Sequence, residues 1–173
     1  MTLGRRGPSL GALALLALLV AVLVTGGEDP ERSSGIDPEG DEVTATVTRV
    51  VDGDTVEVEV DGIEDRVRYI GVDTPESVTP GQPVECYGEE ASELNADLVA
   101  GEDVRLVFDA ERRDRYGRLL AYVYAGEVFV NAELVRRGFA STLTIPPNDS
   151  HAESFERLAE RASEAERGLW GAC

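Results

Sequence analysis

From Val43 onward, apolar and polar residues alternate with a period of two. Val43, Ala45 and Val47 are separated by threonines, residues 55–60 continue the pattern, and residues 66–72 give a third run. Asp52-Gly53 and Asp61-Gly62 fall between these runs. An Asp-Gly pair is first of all a hairpin turn, because glycine reaches positive φ without steric cost, so the three runs predict a β-meander. Over residues 89–100 the period changes: Ala91, Leu94 and Leu98 recur at helical spacing, and Gly101 supplies a stop. Two further strands follow at about 104–108 and 119–124, then a short helix over 131–137 closed by Gly138. In the last segment Ser150 and Glu153 form a capping-box pattern ahead of an apolar stripe of Phe155, Leu158, Ala159, Ala162 and Ala165, which ends before Gly168. Five strands with a helix after the third, then two more helices, predict a small closed barrel carrying its helices on one side.

The N-terminus follows a different logic. Arg5 and Arg6 precede an apolar run from Leu10 to Val24, and Thr25, Gly26 and Gly27 follow, which is the layout of a signal peptide. Residues 1–27 are therefore expected to be an export signal or an N-terminal membrane anchor, so the protein is expected outside the cell or at its surface. Any membrane contact would run through this segment alone. Residues 28–42 carry seven acids together with Pro, Gly and Ser, and read as an acidic disordered linker. Residues 43–173 form the folded domain.

Charge narrows the function. The 173-residue chain has 16 arginines, no lysine, 34 acids and one histidine, for a net charge of −18. Such a chain is not a polybasic coat for DNA, but an enzyme that grips phosphate locally remains open, because chemistry depends on the local field. The absence of lysine and the excess of acid suit strong salt, where self-repulsion is screened, and point to a halophilic host. Two cysteines and one histidine exclude a structural zinc module.

Three stretches combine unusual residues: Asp52-Gly53-Asp54-Thr55, then Arg68 through Val72-Asp73-Thr74-Pro75-Glu76, then Asp114-Arg115-Tyr116-Gly117-Arg118. Each alone reads as a turn or a surface charge. In this order, with Tyr87-Gly88, Leu120-Ala121-Tyr122, the 131–138 helix and Pro147-Asn148-Asp149-Ser150-His151, they resemble the staphylococcal nuclease (thermonuclease) family from about Val43 to Trp170. The resemblance implies an α+β fold, a five-stranded OB-fold β-barrel with three α-helices. It also implies a monomeric hydrolase acting on single-stranded or locally unpaired DNA and RNA.

Carried over position by position, the resemblance implies that Asp54, Asp73 and the main-chain carbonyl of Thr74 bind one Ca²⁺ per domain. The ligand types alone suit hard cations and would admit Mg²⁺ or Mn²⁺ as well. Glu76 matches a carboxylate that takes or steers the proton of attacking water. Arg68 and Arg118 match two arginines that hold the phosphate, and the implied products end in 3′-phosphate. Arg115 and Tyr116 match substrate contacts. Leu143 and Ile145 stand where the family usually has aromatics that stack on the nucleotide. His151 reads as a surface or capping residue, and Phe155, Leu169 and Trp170 read as core. Independently of the family, an exported chain with Cys86 and Cys173 predicts a disulfide between them. Two other readings compete with the enzyme: a non-catalytic OB module that binds nucleic acid or protein, and an acidic surface domain that holds Ca²⁺ for stability alone.

Overall fold

A computed structural model describes residues 35–36, 40–78, 81 and 83–173. The expected export segment and most of the expected linker lie outside the described residues. The chain runs through β1 (Glu42–Asp52), β2 (Thr55–Val60), β3 (Ile63–Tyr69), β4 (Gly71–Asp73), α1 (Gly88–Val99), β5 (Asp103–Val107), β6 (Leu119–Ala125), β7 (Val128–Phe129), α2 (Val130–Arg137), β8 (Ser141–Leu143), α3 (Ala152–Glu164) and the single turn α4 (Leu169–Ala172).

Antiparallel pairing links β3, β2, β1, β5 and β6 in that order. β6 then pairs in parallel with β3, with Val67 opposite Leu119 and Tyr69 opposite Ala121, so the five strands close into an OB-type barrel. Closure removes the unpaired edges that would otherwise invite association. The alternating residues are the ones that fill it: Ala45, Val47, Val56, Val58, Val67, Val104, Leu106, Leu119 and Ala121 are all buried. Val130, Leu134 and Val135 of α2 and Phe155 of α3 join the same core. Truncating one such leucine, Leu134 for example, costs about 2–5 kcal/mol.

The departures from the expected pattern have identifiable causes. The run at 66–72 breaks at Ile70, and β4 leaves the barrel to pair with β8, which carries Asp73 back against Arg68. The capping box does not form. Ser150 Oγ instead donates to Asp109 Oδ1 at 3.0 Å, and no side chain caps α3, so a distant carboxylate takes the hydroxyl that local spacing assigned to the helix. His151 stands at the N-cap position of α3 without a side-chain cap bond and is half-buried, its ring lying among Tyr122, Phe129 and Phe155, with centroids 4.5, 5.0 and 5.8 Å away. Trp170, expected in the core, is 39% exposed, and Leu169 is only partly buried. Within the expected linker, Ile36 is buried, and its N–H donates to Asp65 Oδ2 at 2.9 Å. Arg113 ties this point down by bonding both Asp65 and the Ile36 carbonyl. Cys86 and Cys173, 87 positions apart, are joined by a disulfide.

Candidate active site

Asp54 lies in the turn between β1 and β2 and is 4% exposed. Its Oδ2 accepts from the Thr74 N–H at 2.9 Å and from Thr74 Oγ1 at 3.1 Å and forms an ion pair with Arg68 Nη2 at 3.1 Å, while Oδ1 accepts from Thr55 Oγ1 at 3.1 Å. Leaving such buried oxygens without donors would be costly. Gly53 makes the approach possible, since a Cβ there would lie 2.7–2.8 Å from the Thr74 side chain. Arg68, at the end of β3, is the link between strands. Nη1 donates to the carbonyls of Tyr69 and Val72 at 2.9 and 2.8 Å, and Nη2 reaches Asp73 Oδ1 at 2.8 Å as well as Asp54. One guanidinium thus joins the two carboxylates expected to hold the cation.

Negative charge exceeds positive charge here. Burial pushes the Asp73 carboxyl above its ordinary range against the pull of Arg68, and Glu76, Glu85 and Asp52 push it further the same way. Asp52 is raised by its own burial and by Asp54. Among the described residues no three His, Cys, Asp or Glu side chains form a metal-ligating cluster. A cation seated here would therefore draw on Asp54, Asp73 and a main-chain carbonyl, with solvent and substrate completing its shell. Hard oxygen donors with surplus negative charge fit a hard divalent cation.

Arg118 precedes β6 and is held by Asp114. Asp114 Oδ2 accepts from Arg118 Nε at 2.7 Å, and Oδ1 accepts the N–H groups of Tyr116 and Arg118 at 2.9 and 3.0 Å. Burial alone would raise the Asp114 carboxyl, but these bonds and the adjacent guanidinium hold it below the usual range. Among the described residues Arg118 is gripped through Nε and its main-chain N–H alone, which leaves its terminal Nη edge for an incoming anion. Arg68 and Arg118 line one cavity of about 450 Å³, together with Arg115, Tyr116, Leu143 and Ile145. Tyr116 lies beneath both neighbouring guanidiniums, with Arg115 4.7 Å and Arg118 5.6 Å from its ring centroid. Asn148 fixes the loop carrying Ile145 by bonding both main-chain groups of Glu111, at 2.7 and 2.8 Å.

Asp54, Asp73, Thr74 and Arg68 therefore touch directly, and Arg68, Arg115, Tyr116 and Arg118 share a cavity wall. Glu76 lies three residues beyond Asp73, close enough to raise its carboxyl. Among the described residues no hydrogen bond joins Arg118 to Asp54, Asp73 or Glu76. Sequence reasoning missed the support beneath. Tyr69 OH donates to Asn95 Oδ1 at 2.9 Å, and Asn95 Nδ2 donates to the Asp52 carbonyl at 2.9 Å. Both side chains are buried, and burial pushes the Tyr69 hydroxyl up. The available signal was an asparagine spaced four residues from both Ala91 and Val99, on the buried face of α1.

A family model described as "Staphylococcal nuclease homologue" matches residues 66–172. The chain is 38% identical over 159 residues to the "Thermonuclease" of Staphylococcus intermedius, covering 90% of this chain and 94% of that protein. It is 38% identical over 157 residues to the "Thermonuclease" of Staphylococcus hyicus, covering 91% of each. It is also 40% identical over 130 residues to "Endonuclease YncB" of Bacillus subtilis (strain 168), covering 74% of this chain and 62% of that protein.

Proposed function

The chain belongs to the staphylococcal nuclease family and is a metal-dependent nuclease, a hydrolase of nucleic-acid phosphodiester bonds; from that premise we propose a calcium-dependent enzyme, exported or held at the cell surface, that cleaves single-stranded or locally unpaired DNA and RNA by attack of water. The observation that carries this reading is Arg68, bonded to both Asp54 and Asp73 while sharing a cavity with Arg118. An acidic domain that held a cation for stability alone has no use for two guanidiniums on one cavity.

In this reading Asp54, Asp73 and the Thr74 carbonyl hold Ca²⁺, which when bound supplies a fixed positive charge beside the phosphate. Arg118 through its Nη edge, and Arg68 through the Nη2 hydrogens that a cation on Asp54 and Asp73 would release, donate to the phosphate oxygens as their charge grows toward the transition state, each contact being worth about 3 kcal/mol. Glu76 takes or steers the proton of the attacking water, a contribution of about 10²–10⁴ in rate. Arg115 and Tyr116 orient the nucleotide next to that phosphate. With a net charge of −18, long-range attraction to nucleic acid is poor, so the fall of activity with salt is flatter than for a basic relative, or reversed.

Digestion of a single-stranded DNA by the exported domain in molar salt tests the proposal, with calcium and then with a chelator, beside Glu76→Gln. Cleavage that stops with chelator and in the variant is expected. Chelator-insensitive cleavage, or a steep loss of activity between low and molar salt, contradicts it.

A further inference from the structure

The corner that leads into α1 holds the main chain of Glu76 from three sides. The Glu76 carbonyl accepts the Glu85 N–H at 2.9 Å, and the Glu76 N–H donates to Glu85 Oε2 at 3.0 Å. Gly88 closes the third side: a Cβ there would lie 2.7 Å from the Glu76 carbonyl oxygen and 3.2 Å from that of Pro75, so a side chain at this position would push the helix off the peptide. The Gly88 N–H in turn donates to the Glu85 carbonyl at 3.0 Å. Between Glu85 and Gly88 stand Cys86, bonded to Cys173, and Tyr87, whose backbone sits at φ 71 and whose ring packs on Phe139 at 4.9 Å. The disulfide therefore ties to the chain's C-terminus the same short corner that fixes the Glu76 peptide.

We infer that Glu85 is a positioning residue for the Glu76 carboxylate, and that the Cys86–Cys173 disulfide sets how firmly Glu85 performs this, which makes hydrolysis responsive to dithiols. The inference rests on the role proposed above for Glu76. Asp54, Asp73 and Thr74 are held by other bonds, to one another and to Arg68, so loosening the corner moves the proton acceptor and leaves the cation ligands in place. Cys86 is exposed. One thiolate of a dithiol attacks a sulfur of the bridge, its second thiolate resolves the mixed disulfide, two protons pass to the released cysteines, and the reductant leaves as a cyclic disulfide.

The test is steady-state cleavage of a single-stranded oligonucleotide in calcium by the oxidised full chain and its variants. Calcium calorimetry accompanies it, and circular dichroism verifies folding at an assay temperature below the melting point of the reduced protein. Glu85→Ala is expected to lower kcat about ten- to hundredfold, the cost of a displacement near 1 Å, with KM unchanged within about twofold and calcium affinity changed no more than in Glu85→Gln, which loses the same charge beside Asp73. Glu85→Gln, which keeps an acceptor for the Glu76 N–H but loses the charge, restores most of kcat. Dithiothreitol lowers kcat of the parent severalfold and leaves kcat of Glu85→Ala where it was, because both changes act through one bond. Wild-type kcat in Glu85→Ala, with Glu76→Gln down at least about a hundredfold, overturns the inference and leaves the reading of Glu76 intact. Wild-type kcat in Glu76→Gln overturns both. An equal further loss when Glu85→Ala is reduced removes the disulfide from the account.

Discussion

Behind one wall of the cleft Asp54 is 4% exposed, and the guanidinium of Arg68, which lines that wall, contacts two carbonyls and two carboxylates at once. On the other side, Tyr116 is 68% exposed and Ile145 61%, and Arg115 has no carboxylate partner among the described residues. The first wall is set by hydrogen bonds between strands of a closed barrel and by the Tyr69–Asn95–Asp52 chain beneath it. The second is a loop surface pinned at two points, Asp114 and Asn148. Pre-organised charge accelerates a reaction because it need not rearrange as charge develops, whereas a nucleotide of varying base is better met by side chains that can adjust. The firm wall suits chemistry, and the open wall suits recognition with little sequence preference.

The largest expected effect is on the stability of the whole domain. Cys86→Ser combined with Cys173→Ser removes a cross-link spanning 87 positions and lowers the unfolding free energy by about 4–5 kcal/mol in the chain-entropy picture, read from denaturant melts. Next comes Arg118→Lys, which replaces a fork by a point charge and discards the Asp114 bond. It should lower kcat about 100- to 1000-fold with an unchanged circular dichroism spectrum, and a loss under tenfold would move Arg118 from the chemistry to the surface. On the open wall, Leu143→Tyr or Ile145→Tyr should lower KM severalfold at constant kcat, since an added stacking contact is worth about 1–3 kcal/mol to binding and nothing to the reacting bond. A change in kcat instead would show that the two walls are not separate.

The smallest effect is in the acid limb of stability. Burial alone would raise the Asp109 carboxyl, but hydrogen bonds from Tyr122, Ser150 and the Ala110 N–H hold it below its ordinary range. The native state therefore binds fewer protons in acid than the unfolded chain. This stabilisation is complete above the unfolded carboxylate value and disappears as pH falls through the lower folded one. Asp109→Asn should flatten that limb of a melting-temperature profile below about pH 4 without changing cleavage at neutral pH.

The barrel was legible because its determinants are local and periodic: Ala45, Val47, Val104 and Leu106 alternate in sequence as they do in burial. The five polar residues assigned to the candidate site were legible only together, through resemblance, since each alone passes for a turn or a surface charge. What escaped depends on partners far along the chain. Ser150 has the spacing of a cap, but Asp109, 41 positions away, takes its hydroxyl. Asn95 looks like a blemish on an apolar stripe until the carbonyl of Asp52 is found 43 positions earlier. Ile36 sits in a run of acids, and only Asp65 and Arg113 explain why it is buried. Local pattern reports propensity and periodicity, and it carries no record of which distant donor meets which acceptor.

Calcium calorimetry on the oxidised chain, wild type beside Asp54→Asn and Arg118→Ala, tests the division between cation seat and phosphate clamp most directly. The account predicts one calcium bound by the wild type and by Arg118→Ala, none by Asp54→Asn, and loss of cleavage in both variants. Calcium binding by Asp54→Asn with wild-type affinity would contradict it.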